Sequence, residues 1–342
     1  MSAFKQISRN WAKTVPMKKL CLAFTLTLAV LDGAAAAEPE PVEVSSVARR
    51  LDAERPALRD VDRLRSRGLL ELSAGDWRFG GLSGLDISAD GARLTAVTDQ
   101  GNWFTARLLY DEHGDLSGLT ETALAPLRDP DGDRLTSKFS QDAESLAPLP
   151  EGGLLVAFEH QHRLWGYGAN GLPAFGAATP FPIPGSVARL PRNDGIETVA
   201  TLPDGRLLII ASHADGAPAY PAHLWQDGRW HSLAYSRDRE LSPTGATTLP
   251  NGDLLVSERH YSVLAGVTVQ LRRVPLATIR PGATLSGELL ARFRPPLLID
   301  NMEGIAARRG PGGESLIYLL SDDNFNPLQR TLLMMFALED DG

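Results

Sequence analysis

Five short apolar runs recur along the chain, LTAVT, LLVAF, LLIIA, LLVSE and LIYLL, and each follows a tight turn. Each run closes a segment that reads strand, turn, strand. The segments are Ser83 to Asp99, Glu144 to His160, Glu197 to His213, Thr244 to His260 and Glu303 to Asp322. In the first four a glycine (Gly91, Gly152, Gly205, Gly252) stands midway between the two ends, and the fifth has a longer turn. Turn pairs such as Asp90-Gly91, Asp204-Gly205 and Asn251-Gly252 suit hairpins, because Gly and Asn accept positive φ. The runs themselves are short and continuously apolar, as buried strands are. Further strand-like stretches follow in each unit, among them Trp103 to Tyr110, His223 to Gln226, Val267 to Val274 and Leu332 to Leu338.

Three or four strands per unit of about 40–60 residues predict an all-β fold, a β-propeller. Five repeats predict five blades. A sixth would need a degenerate unit within residues 40–75. The last unit ends after its third strand, so Leu69 to Leu72 is expected to supply the outer strand and close the ring. The charges and spaced apolar residues of Val47 to Arg67 suggest a helix or linker. The expected organisation is thus a leader over residues 1–37, a linker or short helix over 38–67 and one propeller domain over 68–342.

The inner strand of a blade runs along the channel and the next runs back. Residues that start the first strand and end the second therefore share one face. The starts are Ser83, Glu144, Glu197, Thr244 and Glu303; the ends are Asp99, His160, His213, His260 and Asp322. Asp142, Glu159, Glu258, Arg259, Asn301, Asp323 and Asn324 adjoin them. The remaining histidines, His113, His162, His223 and His231, follow no pattern and read as surface residues.

Charge and composition narrow the picture. Lys18 and Lys19 precede the apolar run Leu20 to Val30, and the small residues Ala34 to Ala37 follow. This is the layout of a cleaved Sec-type signal peptide, which predicts a periplasmic or secreted protein. The run is too short to span a bilayer of roughly 30 Å, and no stable membrane insertion is expected. Residues 38–342 carry 29 basic and 41 acidic side chains, a net charge of −12, and no cysteine. That excludes disulfides and thiolate chemistry. It also argues against nucleic acid as a partner. A monomer is expected.

Three glutamates at one end of a channel repel one another, so one takes up a proton or the group holds a cation. Oxygen ligands of this kind suit Ca²⁺, the expected ion, or Mg²⁺. The histidines would favour Zn²⁺ or Mn²⁺, or act as general acid–base groups. The structural alternative for the glutamates and histidines is hydrogen bonding between blades. Asp129, Asp131 and Asp133 in DPDGD lack the later ligands of an EF-hand and read as a solvated turn. The GGLSG around Ser83 lacks the last glycine of a nucleophile elbow.

At these residues the chain resembles the "esterase-like activity of phytase" family, also called phytase-like domain proteins. The resemblance rests on FGGLSGL with VTDQG, RDPDGDRL leading to DAESLA, GIETVATLPDGRLL, NMEGIA and SDDNFNPLQRTLLMMFAL. It spans about Phe79 to Leu338. It implies hydrolytic activity on recurring acids, here Asp99, Asp142, Glu144, Glu197, Glu303, Asp322 and Asp323. Thr244 stands where the other late repeats carry Glu, so the acidic ring is incomplete.

The resulting expectation is a metal-dependent hydrolase of a small-molecule ester, with a phosphoester as the leading substrate. Glu144, Glu197, Glu303, Asn301 and Asp142 would hold the divalent cation. One of His160, His213 or His260, with Asp99, Asp322 and Asp323, would carry the proton chemistry. Arg259, Asn324, Glu159 and Glu258 would contact substrate. The alternatives are a calcium-stabilised, non-catalytic propeller that binds an envelope ligand, and a lactonase or carboxylesterase.

Overall fold

A computed structural model describes residues 38–168, 175–192, 194–212, 216–238 and 241–339. The expected signal peptide and His213 lie outside the described residues. Five antiparallel sheets form five blades. Their inner strands are Leu82–Ile87, Ala143–Pro148, Ile196–Thr201, Ser242–Thr248 and Asn301–Arg309. Each lies against the next and the last against the first, which closes the ring.

The closure is the one expected. Strand Leu64–Ala74 pairs with Thr331–Leu338 and completes the fifth blade from the other end of the chain. Val47 to Arg67 forms no helix, however. Val44–Ala48 pairs with Leu64–Ala74 as a further outer strand, and Glu40–Pro41 adds to the outer edge of the first blade. Pairing with an exposed strand edge overrides weak helical spacing, because an edge leaves backbone donors and acceptors unsatisfied.

The core explains the apolar runs. Five apolar clusters fill the five spaces between neighbouring blades. In the second strand Leu154–Phe158, Leu155 and Ala157 face the third blade. Leu154, Val156 and Phe158 face the first. Both faces of a second strand are therefore covered, and the strand reads as continuously apolar rather than alternating. Each fully buried Leu or Phe in such a strand contributes roughly 1.5–3 kcal/mol from burial.

One feature of the inner strands positions the chemistry. Each carries a β-bulge against its second strand. The skipped residues are Glu144, Glu197, Thr244 and Glu303, and in the first blade the pair Ser83–Gly84. A bulge leaves a residue outside the ladder and re-aims its side chain. The five repeat starts are thus the bulge positions. The residue after each repeat start is small: Gly84, itself within the bulge of the first blade, then Ser145, Thr198, Gly245 and Gly304. A Cβ on Gly304 would lie 2.8 Å from the Ser83 carbonyl oxygen, so the close approach of blades five and one requires glycine. Ser145 instead uses its hydroxyl, which accepts the Val199 amide of the next blade at 3.0 Å.

Candidate functional site

The bulged glutamates converge at one mouth of the channel. Glu303 accepts hydrogen bonds from Ser83 Oγ at 3.1 Å and from Asn301 Nδ2 at 2.9 Å. The Arg259 guanidinium lies 3.7 Å from Glu303 Oε1. Asn301 Nδ2 also reaches Asp322 Oδ2 at 3.4 Å. Asn301 is buried, and its carbonyl oxygen Oδ1 has no hydrogen-bond partner. Turning the amide over would point that oxygen at two carboxylates, so the orientation with Nδ2 toward them is the favourable one. Oδ1 of Asp99 is likewise buried without a partner.

A second group forms where the second blade reaches the mouth. Lys138–Gln141 makes one helical turn and delivers Asp142 to the start of the inner strand. His160 Nε2 lies 2.9 Å from Asp142 Oδ2, and Nδ1 lies 3.6 Å from Glu159 Oε2. Nδ1 also meets the Arg192 carbonyl at 3.0 Å. Asp142, Glu159 and His160 offer ligand atoms within 4.8 Å of one another.

Crowding shows in the protonation of these acids. Burial, then Glu197 and Glu303, hold Glu144 well above the ordinary glutamate range. Burial, then Glu159 and Glu303, push Glu197 up to about 8, against opposing contributions from the Ser212 side chain and Arg259. Glu303 is raised by burial, offset by Arg259, Ser83 and Asn301. Burial and the Glu303 charge push Asp322 to about 8. Burial, then Asp142, push Asp99 to about 7. Glu159 reaches about 7 through burial and then Asp142. Asp142 is raised by burial, with His160 and Lys138 opposing. Proton-holding carboxylates with orphaned acceptor oxygens beside them are a donor set suited to an oxygen-loving divalent cation.

The expected site residues divide as follows. Glu144, Glu197, Glu303, Asn301, Asp142, Asp99, Asp322, Glu159, His160 and Arg259 come together at the mouth. Asp323 is there too, but its oxygens accept the Gly81 and Phe325 amides at 3.1 Å and the Thr331 hydroxyl at 2.9 Å, so it holds loops. Asn324 is exposed beside it, with its amide on Asp322 Oδ1 at 2.7 Å. His260 lies on the overhanging end of Leu254–Ser262, opposite Thr268, outside the Asp142 group.

Glu258 points away from the mouth. It is 1% exposed. It accepts the Tyr235 hydroxyl at 2.8 Å, Arg272 Nε at 3.0 Å and the Gln270 amide, and Arg272 also pairs with Asp238. The expected substrate contact is instead an ion pair within the fourth blade, joined by Tyr235 and Asp238 of the third. Alternation explains this: Glu258 and Arg259 are neighbours on one strand and face opposite ways.

Thr244 spans to the fifth blade by donating to the Met302 carbonyl at 2.9 Å. His223, expected at the surface, is buried with its Nε2 3.2 Å from Ser186 Oγ. In DPDGD, Asp129 Oδ1 accepts the amides of Asp131 and Asp133, a turn closed on itself as expected. Lys138, Arg192 and Phe139 at the mouth went unanticipated, because they stand on connecting loops that the repeat does not cover. Below the mouth the channel narrows to a cavity of about 110 Å³ lined by Asp86, Leu146, Thr247, Ile305 and small side chains.

The family described as phytase-like, esterase-like activity of phytase, matches residues 77–325. No curated protein matches the chain. Among solved structures the chain is similar to a gluconolactonase from Xanthomonas campestris, at 14% identity over 89% of this chain and 98% of that one, with a TM-score of 0.42. It is similar to regucalcin, a calcium-binding protein from Agrobacterium tumefaciens, at 13% identity over 79% and 80%, with a TM-score of 0.41. A luciferin-regenerating enzyme shares 11% identity over 75% and 92%, with a TM-score of 0.40.

Proposed function

Because this chain belongs to the phytase-like family, we propose that the carboxylate-lined mouth is the active site of a cation-dependent ester hydrolase. The observation that carries this reading is Asn301. Its amide is committed to Glu303 and Asp322, and its carbonyl oxygen is buried with no donor to meet it. A cation is a partner that such a buried oxygen lacks, on a residue whose amide nitrogen already meets two carboxylates.

Glu303, Asp322 and Asn301 would hold the ion, with Glu144 and Glu197 completing the charge. The cation, when bound, would polarise the ester oxygen and lower the pKa of a water. His160, with its two nitrogens held by Asp142 and the Arg192 carbonyl, would position the Asp142 carboxylate. Asp99, with an unpartnered Oδ1 and a pKa raised to about 7, would take the proton from the attacking water and return it to the leaving oxygen. Arg259 keeps an unpartnered Nε and would bind an anionic oxygen of the substrate. The leader-like N-terminus supports a periplasmic or secreted setting, and the oxygen donors make Ca²⁺ the first choice of ion.

The test is to strip the purified protein with chelator, restore Ca²⁺, Mg²⁺, Mn²⁺ or Zn²⁺ singly, and assay phosphomonoesters, phosphodiesters, carboxylesters and lactones. At least one ion restores turnover, and Glu303→Gln lowers both turnover and ion affinity. Absence of turnover with every ion and every ester would overturn the reading.

A further inference from the structure

Large apolar side chains stand exposed around this mouth. Trp77, Phe139, Val263, Leu264, Phe325 and Leu328 all lie on loops at the mouth end. Among the described residues the other exposed large apolar side chains, apart from Tyr261 on the same hairpin, stand singly on strands away from the channel: Val47, Leu109 and Leu289. Clustered exposed apolar groups on a protein surface mark a contact site more often than scattered ones do.

Two of the six stand beside residues of the site. The half-exposed Phe139 ring lies 5.5 Å, centroid to centroid, from the ring of His160, whose Nε2 meets Asp142. Phe325 lies on the Gly80–Gly81 backbone. A Cβ on Gly81 would come within 2.7 Å of the Phe325 ring and 2.0 Å of Asp99 Oδ1. Ring and carboxylate thus share one glycine shelf. Asn324 and Phe325 both hold φ near +49°, a left-handed conformation that costs a non-glycine residue energy. Asp322 and Asp323 hold them there through the two loop amides. Two exposed aromatic rings are therefore fixed beside the acids of the site.

Charge restricts the ligand further. Eight carboxylates line the mouth: Asp99, Asp142, Glu144, Glu159, Glu197, Glu303, Asp322 and Asp323. Among the described residues Lys138, Arg192 and Arg259 oppose them, and Arg192 is stacked over the Phe139 ring at 5.2 Å. The carboxylates thus outnumber the described basic side chains. Arg259 lies against Glu303 and Arg192 over Phe139, so an ester with several phosphate groups would meet more carboxylates than free cations there.

We infer that the ester taken at this mouth is amphipathic, with an apolar aryl or alkyl group seated on Phe139 and Phe325 and no more than one negative charge. This rests on the hydrolase reading for the identity of the ester and on the mouth's own surface for its polarity. It separates the substrate class from polyphosphorylated esters, which the same reaction would otherwise admit.

The test is calorimetric binding to the full chain with saturating Ca²⁺ at pH 8. The probes are monomethyl methylphosphonate, monomethyl phenylphosphonate and monomethyl 4-carboxyphenylphosphonate. The phenyl probe binds at least about tenfold tighter than the methyl probe, in keeping with burial of one ring. The added carboxylate weakens binding again. Phe139→Ala and Phe325→Ala each shrink the phenyl-to-methyl ratio, and Phe139→Leu and Phe325→Leu keep most of it. If an alanine variant fails to fold, its leucine counterpart and the 4-carboxyl comparison decide. Tightest binding of the doubly charged probe, or a ratio that neither position moves, overturns the inference. These probes are bound and not turned over. Absence of turnover with any ester would thus sink the hydrolase reading alone, whereas turnover with a failed preference would sink this inference alone.

Discussion

The Ser83 hydroxyl and the Glu303 carboxylate, 220 residues apart in sequence, meet at 3.1 Å where the first and last blades close the ring. Both are bulge residues of their inner strands. Ser83→Ala removes a donor from a carboxylate that burial already disfavours. The expected loss is about 1 kcal/mol in stability and a several-fold weaker Ca²⁺ affinity. Denaturant unfolding and calorimetric titration measure the two separately. Unchanged ion affinity would remove Glu303 from the ligand set.

Protonation of the mouth predicts how stability varies with pH. Asp99 and Glu159 are raised to about 7, and Glu197 and Asp322 to about 8. Folded values above unfolded ones mean stability that is present at low pH and lost as pH rises through about 7–8. The chelated protein therefore melts at a lower temperature at pH 9 than at pH 5. Added Ca²⁺ raises the melting temperature more at pH 9, because bound carboxylates must be deprotonated. An ion effect no larger at pH 9 than at pH 5 would mean that these acids do not hold the ion.

Gly304 follows the bulge and lies against the neighbouring blade. A methyl group there meets the Ser83 carbonyl oxygen at 2.8 Å and the Leu85 Cβ at 2.9 Å. Gly304→Ala is expected to cost about 1–3 kcal/mol, as overpacking does. Backbone atoms on one side and a buried leucine on the other leave little room for relief. A melting temperature equal to that of the parent would show that the blades can spread.

Glu258 and Arg272 serve the fold and not the mouth. Arg272→Met leaves the Glu258 carboxylate buried beside Tyr235 and Gln270 without its cation. Breaking such a pair costs about 3–5 kcal/mol. Ca²⁺ affinity should stay within about twofold of the parent. A large loss of ion affinity with little loss of stability would return Glu258 to the site.

The mouth was half legible in the repeat. Spacing and turn chemistry depend on neighbours in sequence, so the five strand–turn–strand units, their apolar second strands and the shared face of Glu144, Glu197 and Glu303 followed from local pattern. An outer strand at Leu69 to Leu72 followed because the last unit ended one strand short; its extension to Leu64–Ala74 did not. Val44–Ala48 did not follow, because its partner is an edge that exists only once the ring has closed. Nor did the inward reach of the three glutamates through bulges, the orphaned oxygen of Asn301, the turn of Glu258 away from its neighbour Arg259, or the rings of Phe139 and Phe325 beside Asp142 and Asp99. Those depend on which strands, distant in the chain, come to lie side by side and on how loops outside the repeat fold over them. Periodicity placed the acids on one end of the ring, and the packing of one blade against the next decided which of them face one another.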